Sequence, residues 1–224
     1  MSTLILYFSA GACSRVAMVA LEEAGLMYEA RRLSLPDGAH RTAEFLSLNP
    51  KGKVPLLVTD EGALSENLAI LCWIDAIRPQ ARLLPAPTEQ WQRAQALSWL
   101  AWSISTLHPQ VYRARMSARI HPDPATHEGI RSAALSEMRQ QLAAAEKVLA
   151  DGRPWLLGEQ WCISDAHVSW ALGRAAASGI TLSQHPLLER LIRRQEERPA
   201  WKCMVARETA AKNTAGPALA PSTE

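Results

Sequence analysis

Apolar positions change their period twice along the chain. Residues 4–8 form a short continuous apolar run of the length a buried strand needs. Residues 15–24 are mostly apolar, with Glu22 and Glu23 on one side and Gly25 placed to end a helix. Residues 28–35 alternate weakly, as an edge-like strand does, and residues 35–40 read as a loop. Asn49-Pro50-Lys51-Gly52 is turn chemistry, residues 54–59 are strand-like, and Asp60-Glu61-Gly62 makes a hairpin turn into Ala63-Leu64. Ser65 then stands as the cap of a helix over about 66–77, whose apolar positions are Leu68, Ile70, Leu71, Ile74 and Ile77. The predicted order is strand, helix, strand, loop, strand, strand, helix.

Pro79, Pro85 and Pro87 punctuate residues 78–88 and predict a domain boundary there. Beyond it the strand signals vanish. Trp91, Ala94, Leu97, Ala101, Ile104, Leu107 and Val111 recur at spacings of three and four, which predicts one amphipathic helix kinked at Pro109. Ile130, Ala134, Met138, Leu142, Ala145 and Leu149 mark a second long helix, ended by Asp151-Gly152. Further helices are predicted over about 162–177 and from Pro186, with a short piece around Trp201 after Arg198-Pro199. From about residue 213 the composition turns to Ala, Pro, Thr and Gly without period, which predicts a disordered tail.

Composition narrows the function classes. The 24 basic and 22 acidic residues leave a formal charge of +2, without the concentrated positive patch of a nucleic-acid binder. Cys13, Cys72, Cys162 and Cys203 lie far apart, with no C-x-x-C pair and no metal-ligand spacing, which argues for a reduced cytoplasmic protein without a metal site. The apolar run at residues 4–8 is too short for a signal-peptide core, and no window reaches the roughly 18 apolar residues of a membrane span.

Three short segments carry candidate chemistry. Cys13, in Ser9-Ala10-Gly11-Ala12-Cys13-Ser14-Arg15, falls at a strand-to-helix turn. A helix start offers unpaired backbone N–H groups and partial positive charge, which favours a thiolate, either that of Cys13 or that of a bound thiol. A small cysteine packed in a tight turn fits the same pattern, and Ser14 fits a simple helix cap. In Lys53-Val54-Pro55, a proline inside strand-like sequence belongs at an edge, at a strand start or in a cis bond. A cis Val54–Pro55 bond would turn the Val54 N–H and C=O outward to pair with an extended peptide ligand. At Ser65-Glu66-Asn67, Glu66 can receive a ligand's ammonium while Asn67 and free N–H groups hold a carboxylate, although plain capping accounts for the segment too. His108, before Pro109, serves either to satisfy freed carbonyls or as an active-site residue.

The segments "SAGACSRVAMVALEEAGL", "NPKGKVPLL" and "LSENLAIL", in this order and followed by an all-helical half, resemble the cytosolic glutathione transferase superfamily. "GACS" and "TLHPQV" are most similar to its bacterial beta class, and the resemblance covers residues 4 to about 205. It implies an α/β thioredoxin-like N-terminal domain at residues 1–80 with Pro55 cis, a linker at 81–88, an all-α helical C-terminal domain at 89–206 and a tail at 207–224. Glutathione would pair with Val54, meet Glu66 and Asn67 with its γ-glutamyl end and approach Lys53 with its glycyl carboxylate. Its sulfur would lie near the catalytic candidates Cys13, Ser14 and His108. Ala12, Trp102, Tyr112 and Arg115 would line a hydrophobic substrate pocket. The beta class typically places a lysine after its histidine, where this chain has Pro109. The family's Ser/Thr-x-x-Asp capping box reads Cys162-Ile163-Ser164-Asp165, which predicts a weaker cap.

The function so implied is a transferase that activates the glutathione thiol for attack on small hydrophobic electrophiles, working as a cytoplasmic homodimer. The alternatives are a thiol transferase, isomerase or dehalogenase on the same scaffold, or a non-catalytic ligand- or protein-binding member. The presence of Val54, Glu66 and Asn67 weighs against the last.

Overall fold

The computed structural model describes residues 4–213 and separates them into two compact units. The first holds the residues up to Leu83 together with those from Pro199 onward; the second is Leu84–Arg198.

In the first unit β1 (Leu4–Phe8) is followed by α1 (Ser14–Glu23), β2 (Tyr28–Arg32), α2 (Ala43–Leu48), β3 (Leu56–Thr59), β4 (Gly62–Ser65) and α3 (Asn67–Ile77). The sheet order is β2-β1-β3-β4, with β1 parallel to β2 and antiparallel to β3, and β3 antiparallel to β4. This is the thioredoxin-like arrangement. Tyr7 and Phe45 meet edge to face at 5.6 Å over Leu56, which joins β1, α2 and β3 in one cluster. α2 falls where the sequence predicts no element. Thr42 starts it by accepting the Phe45 N–H at 3.3 Å, and six residues are too few to display a helical period.

The last helix, α10 (Pro199–Asn213), corrects two boundaries. It belongs with the first unit, not with a helical domain ending at 206, because Ala200, Trp201 and Met204 are buried as it packs on α1 and β2. Its helical course also continues past 207, where the tail was expected to begin. The remainder of that tail lies outside the described residues.

The second unit comprises α4 (Gln90–Trp102), α5 (His108–Arg115), α6 (Ser117–Ile120), α7 (His127–Val148), α8 (Ile163–Ala176) and α9 (Pro186–Glu197). α8 is buried on nearly every face from Ile163 to Leu172 and forms the centre of this unit, packing on α4 and α9. The kink expected at Pro109 takes the form of a π-helical turn over Ser103–Leu107 between α4 and α5. Proline lacks an N–H and its ring crowds the carbonyl four residues back, so the chain inserts a wider turn ahead of it.

Candidate functional site

β1 ends at the turn that carries Cys13. Gly11 stands at φ 72, a left-handed conformation that glycine adopts without steric cost. Ser14 is fully buried; its hydroxyl accepts the Ser9 N–H and donates to the Ser9 carbonyl, each at 3.2 Å. Its one hydroxyl proton thus closes the turn. Ala12, expected in a substrate pocket, is half-buried in the same turn and donates its N–H to Ser9 O at 3.1 Å.

Cys13 occupies the cap position of α1, and its Sγ lies 3.8 Å from the Val54 carbonyl as donor. Burial pushes the Cys13 thiol up to about 12. The backbone N–H groups of Cys13 and Ser14 and the charge of Lys53 oppose this rise, while Glu66 adds to it. Of the two thiolates that the helix start could favour, that of Cys13 or that of a bound thiol, desolvation weighs against the first. At neutral pH it is a protonated S–H donor.

The segment carrying Val54 is held from within. Buried Asn49 donates through Nδ2 to the Lys53 carbonyl at 2.8 Å and accepts the Lys51 N–H at 3.2 Å. Gly52 sits at φ 58, where a Cβ would come within 3.1 Å of the His40 carbonyl, so the turn admits no side chain. Val54–Pro55 is cis and Pro55 is buried. Lys53 is exposed. The sequence reading missed Lys51, whose Nζ donates to Glu66 Oε1 at 2.9 Å and to Ser65 Oγ at 3.1 Å. Its place in "NPKGK", two residues before Lys53, is the signal that was available.

The start of α3 differs from the predicted Ser65 cap. Ser65 ends β4, and Glu66 takes the cap position at φ 75 and ψ 125, a strained conformation for a residue with a side chain. Such backbone costs about 1–3 kcal/mol and persists where the surroundings impose it. Asn67 donates through Nδ2 to the Cys13 carbonyl at 3.0 Å, which ties the starts of α1 and α3 together. Its Oδ1 is buried and has no hydrogen-bond partner among the described residues. Neither helix carries an acidic residue in its first turn. Cys13, Lys53, Val54, Glu66 and Asn67 thus converge within the first unit.

A second cysteine holds the same helical position with different neighbours. Cys162 caps α8, where the Asp165 carboxylate accepts the Cys162 N–H and the Leu156 N–H, each at 2.9 Å. The Cys162 Sγ also donates to Asp165 at 3.4 Å. Burial raises Asp165 to about 6 and raises the Cys162 thiol as well.

The other expected site residues belong to the second unit. His108 packs edge-on to Trp170 at 4.7 Å. Trp170 also meets His167, whose Nδ1 pairs with Ser103 Oγ at 2.8 Å and which burial lowers to about 3, leaving it neutral. Trp102 is half-buried and Arg115 exposed, and each has a hydrogen-bond partner within this unit. The Trp102 indole donates to Gln141 at 2.9 Å and stacks edge-on with Trp99, and Arg115 donates to the Ala177 carbonyl at 3.2 Å, closing the end of α8. Tyr112 is 40% exposed. Among the described residues no helix is long and apolar enough to cross a membrane, and no group of three or more His, Cys, Asp or Glu residues is arranged to hold a metal.

Residues 10–77 match the family model described as glutathione S-transferase, N-terminal domain, and residues 97–189 match a domain of unknown function, DUF7962. The chain is 31% identical to the glutathione S-transferase GST-4.5 of Xanthomonas campestris over 84% of its own length and 91% of that protein's. A sphingomonad glutathione S-transferase solved in complex with glutathione superposes with a TM-score of 0.79 at 31% identity, over 92% of this chain and 98% of that one. The bacterial beta class glutathione S-transferase of Sphingomonas chungbukensis gives a TM-score of 0.79 at 30% identity, over 91% and 98%.

Proposed function

We propose that this chain, which belongs to the glutathione transferase family, binds glutathione along residues 51–55 and the start of α3 and activates its thiol for attack on small hydrophobic electrophiles. The observation that carries this reading is Asn67, whose Nδ2 is committed to Cys13 while its buried Oδ1 has no partner among the described residues. A buried acceptor left unpaired is costly, and a ligand's N–H donors supply what it lacks.

Each element then has a part. Glu66 receives the ammonium of the γ-glutamyl end, and the acid-free first turn of α3 receives its carboxylate. Val54 pairs through its main chain with the peptide-like middle of the ligand, and Lys53 meets the glycyl carboxylate. A ligand amide that takes the Val54 carbonyl releases the Cys13 S–H, which is then free to donate to the ligand sulfur. That donation, with the Cys13 and Ser14 N–H groups, favours the ligand's thiolate over its thiol. The thiol proton passes to solvent. With an aryl halide, the carbon–sulfur bond forms as the carbon–halogen bond breaks and halide departs with the electron pair. A mixed disulfide on Cys13 fits less well, because burial keeps that thiol protonated.

Isothermal titration with glutathione, followed by turnover of a generic aryl halide, tests the reading. Saturable binding and conjugation are the expected results; no detectable binding at millimolar glutathione overturns it.

A further inference from the structure

Glu208 lies on α10, far along the chain from every motif of the site, and is only 1% exposed. A carboxylate so buried must be paired or it destabilises the fold. Both of its partners lie on the Cys13 turn. Oε1 accepts the backbone N–H of Gly11, and Oε2 accepts Arg15 Nε at 2.6 Å. Gly11 stands two residues before Cys13 and Arg15 two residues after it. One carboxylate therefore grips both shoulders of the turn from outside, while the Ser9–Ser14 pair closes it from inside. The adjacent Arg207 bonds Glu22 at the far end of α1, and its guanidinium lies 4.7 Å from the Tyr28 ring centre. These contacts tie α10 to both ends of α1.

Apolar packing by Trp201 and Met204 already joins α10 to its neighbours. A buried carboxylate adds little to such adhesion, whereas it fixes the path of a backbone whose N–H it accepts. We infer that Glu208 is a positioning residue: it holds the Gly11–Arg15 turn so that the Cys13 sulfur and its two flanking amides keep a single placement. This rests on the reading of that turn as the thiol site.

The test uses the full chain with Glu208→Ala and Glu208→Gln, and reads the alkylation rate of Cys13 by iodoacetamide, resolved by mass spectrometry, beside glutathione binding and steady-state kinetics. Glu208→Ala should alkylate at Cys13 about tenfold faster, while Cys162 keeps its wild-type rate, and should raise KM for glutathione about tenfold with KM for the electrophile unchanged. Glu208→Gln keeps an acceptor for Gly11 and loses the charge facing Arg15, so it should fall between wild type and Ala; it carries the test if the Ala variant does not fold. Cys13 alkylation at the wild-type rate in the folded variants overturns the proposal. So does equal acceleration at Cys13 and Cys162, which marks general loosening. A wild type that binds no glutathione while Cys13 still accelerates in the variants would leave the clamp standing and remove the functional reading. Glutathione binding with unmoved Cys13 rates would do the reverse.

Discussion

Cys13 and Cys162 stand at the starts of two helices, and the two helix ends are finished in opposite ways. At α8 the chain supplies its own anion: Asp165 accepts the Cys162 and Leu156 N–H groups, and the cap is closed. At α1 the first turn carries no acidic residue, the Cys13 and Ser14 amides favour a thiolate there, and the neighbouring start of α3 holds an amide oxygen without a partner among the described residues. The residue type at the cap does not separate these ends. What separates them is whether the chain supplies a carboxylate to its own helix start. The first kind of end stabilises a fold, and the second leaves the anion's place to a ligand.

The largest expected effect breaks the closed end. Asp165→Ala leaves two buried N–H groups unpaired and should lower stability by about 3 kcal/mol in urea unfolding, with glutathione affinity of the folded fraction unchanged. The pH dependence has a definite sign. Asp165 has a folded value of about 6, raised from 3.8, so the native state keeps a proton that the unfolded chain releases. Its contribution is complete below pH 3.8 and is lost as pH rises through about 6. The stability gap between wild type and Asp165→Ala should therefore be widest in acid; a gap that widens with rising pH would contradict the account.

At the open end, Cys13→Ala removes the S–H donor and should lower kcat/KM for conjugation about tenfold, or about 1.4 kcal/mol. Wild-type Cys13, at about 12, should show an alkylation rate still climbing at pH 10, with no plateau near neutrality. Asn67→Ala should weaken glutathione binding about fivefold by calorimetry, close to 1 kcal/mol, since it removes the buried acceptor and the tie to Cys13. The smallest effect is Lys51→Ala. Its pair with Glu66 is exposed on both sides, so affinity should move about twofold or less, and less still at high salt.

Legibility in the sequence followed the range of the interactions. β1, α1, the β3–β4 hairpin, α3 and the long helices announced themselves by local period and turn residues. α2 did not, being six residues long, nor did α10, whose alanines and charges blur any stripe. Cys13, Val54-Pro55 and Glu66-Asn67 were legible because each sits at an element's end. Their chemical states were not. The inward turn of the Ser14 hydroxyl and the protonation of Cys13 depend on burial by distant segments. Arg15 and Glu208 meet across 193 positions of sequence, a separation no local pattern encodes. The hydrogen bonds of Trp102 with Gln141 and of Arg115 with the Ala177 carbonyl were not legible either, because helical spacing does not reveal such partners.

The contrast between filled and unfilled helix starts is tested most directly by amide chemical shifts during a glutathione titration of the 15N-labelled protein. The account predicts saturable shifts at Cys13, Ser14, Glu66 and Asn67 with the amides of Cys162 to Asp165 unmoved. Shifts absent from the first group at millimolar glutathione, or equally large in both, would contradict it.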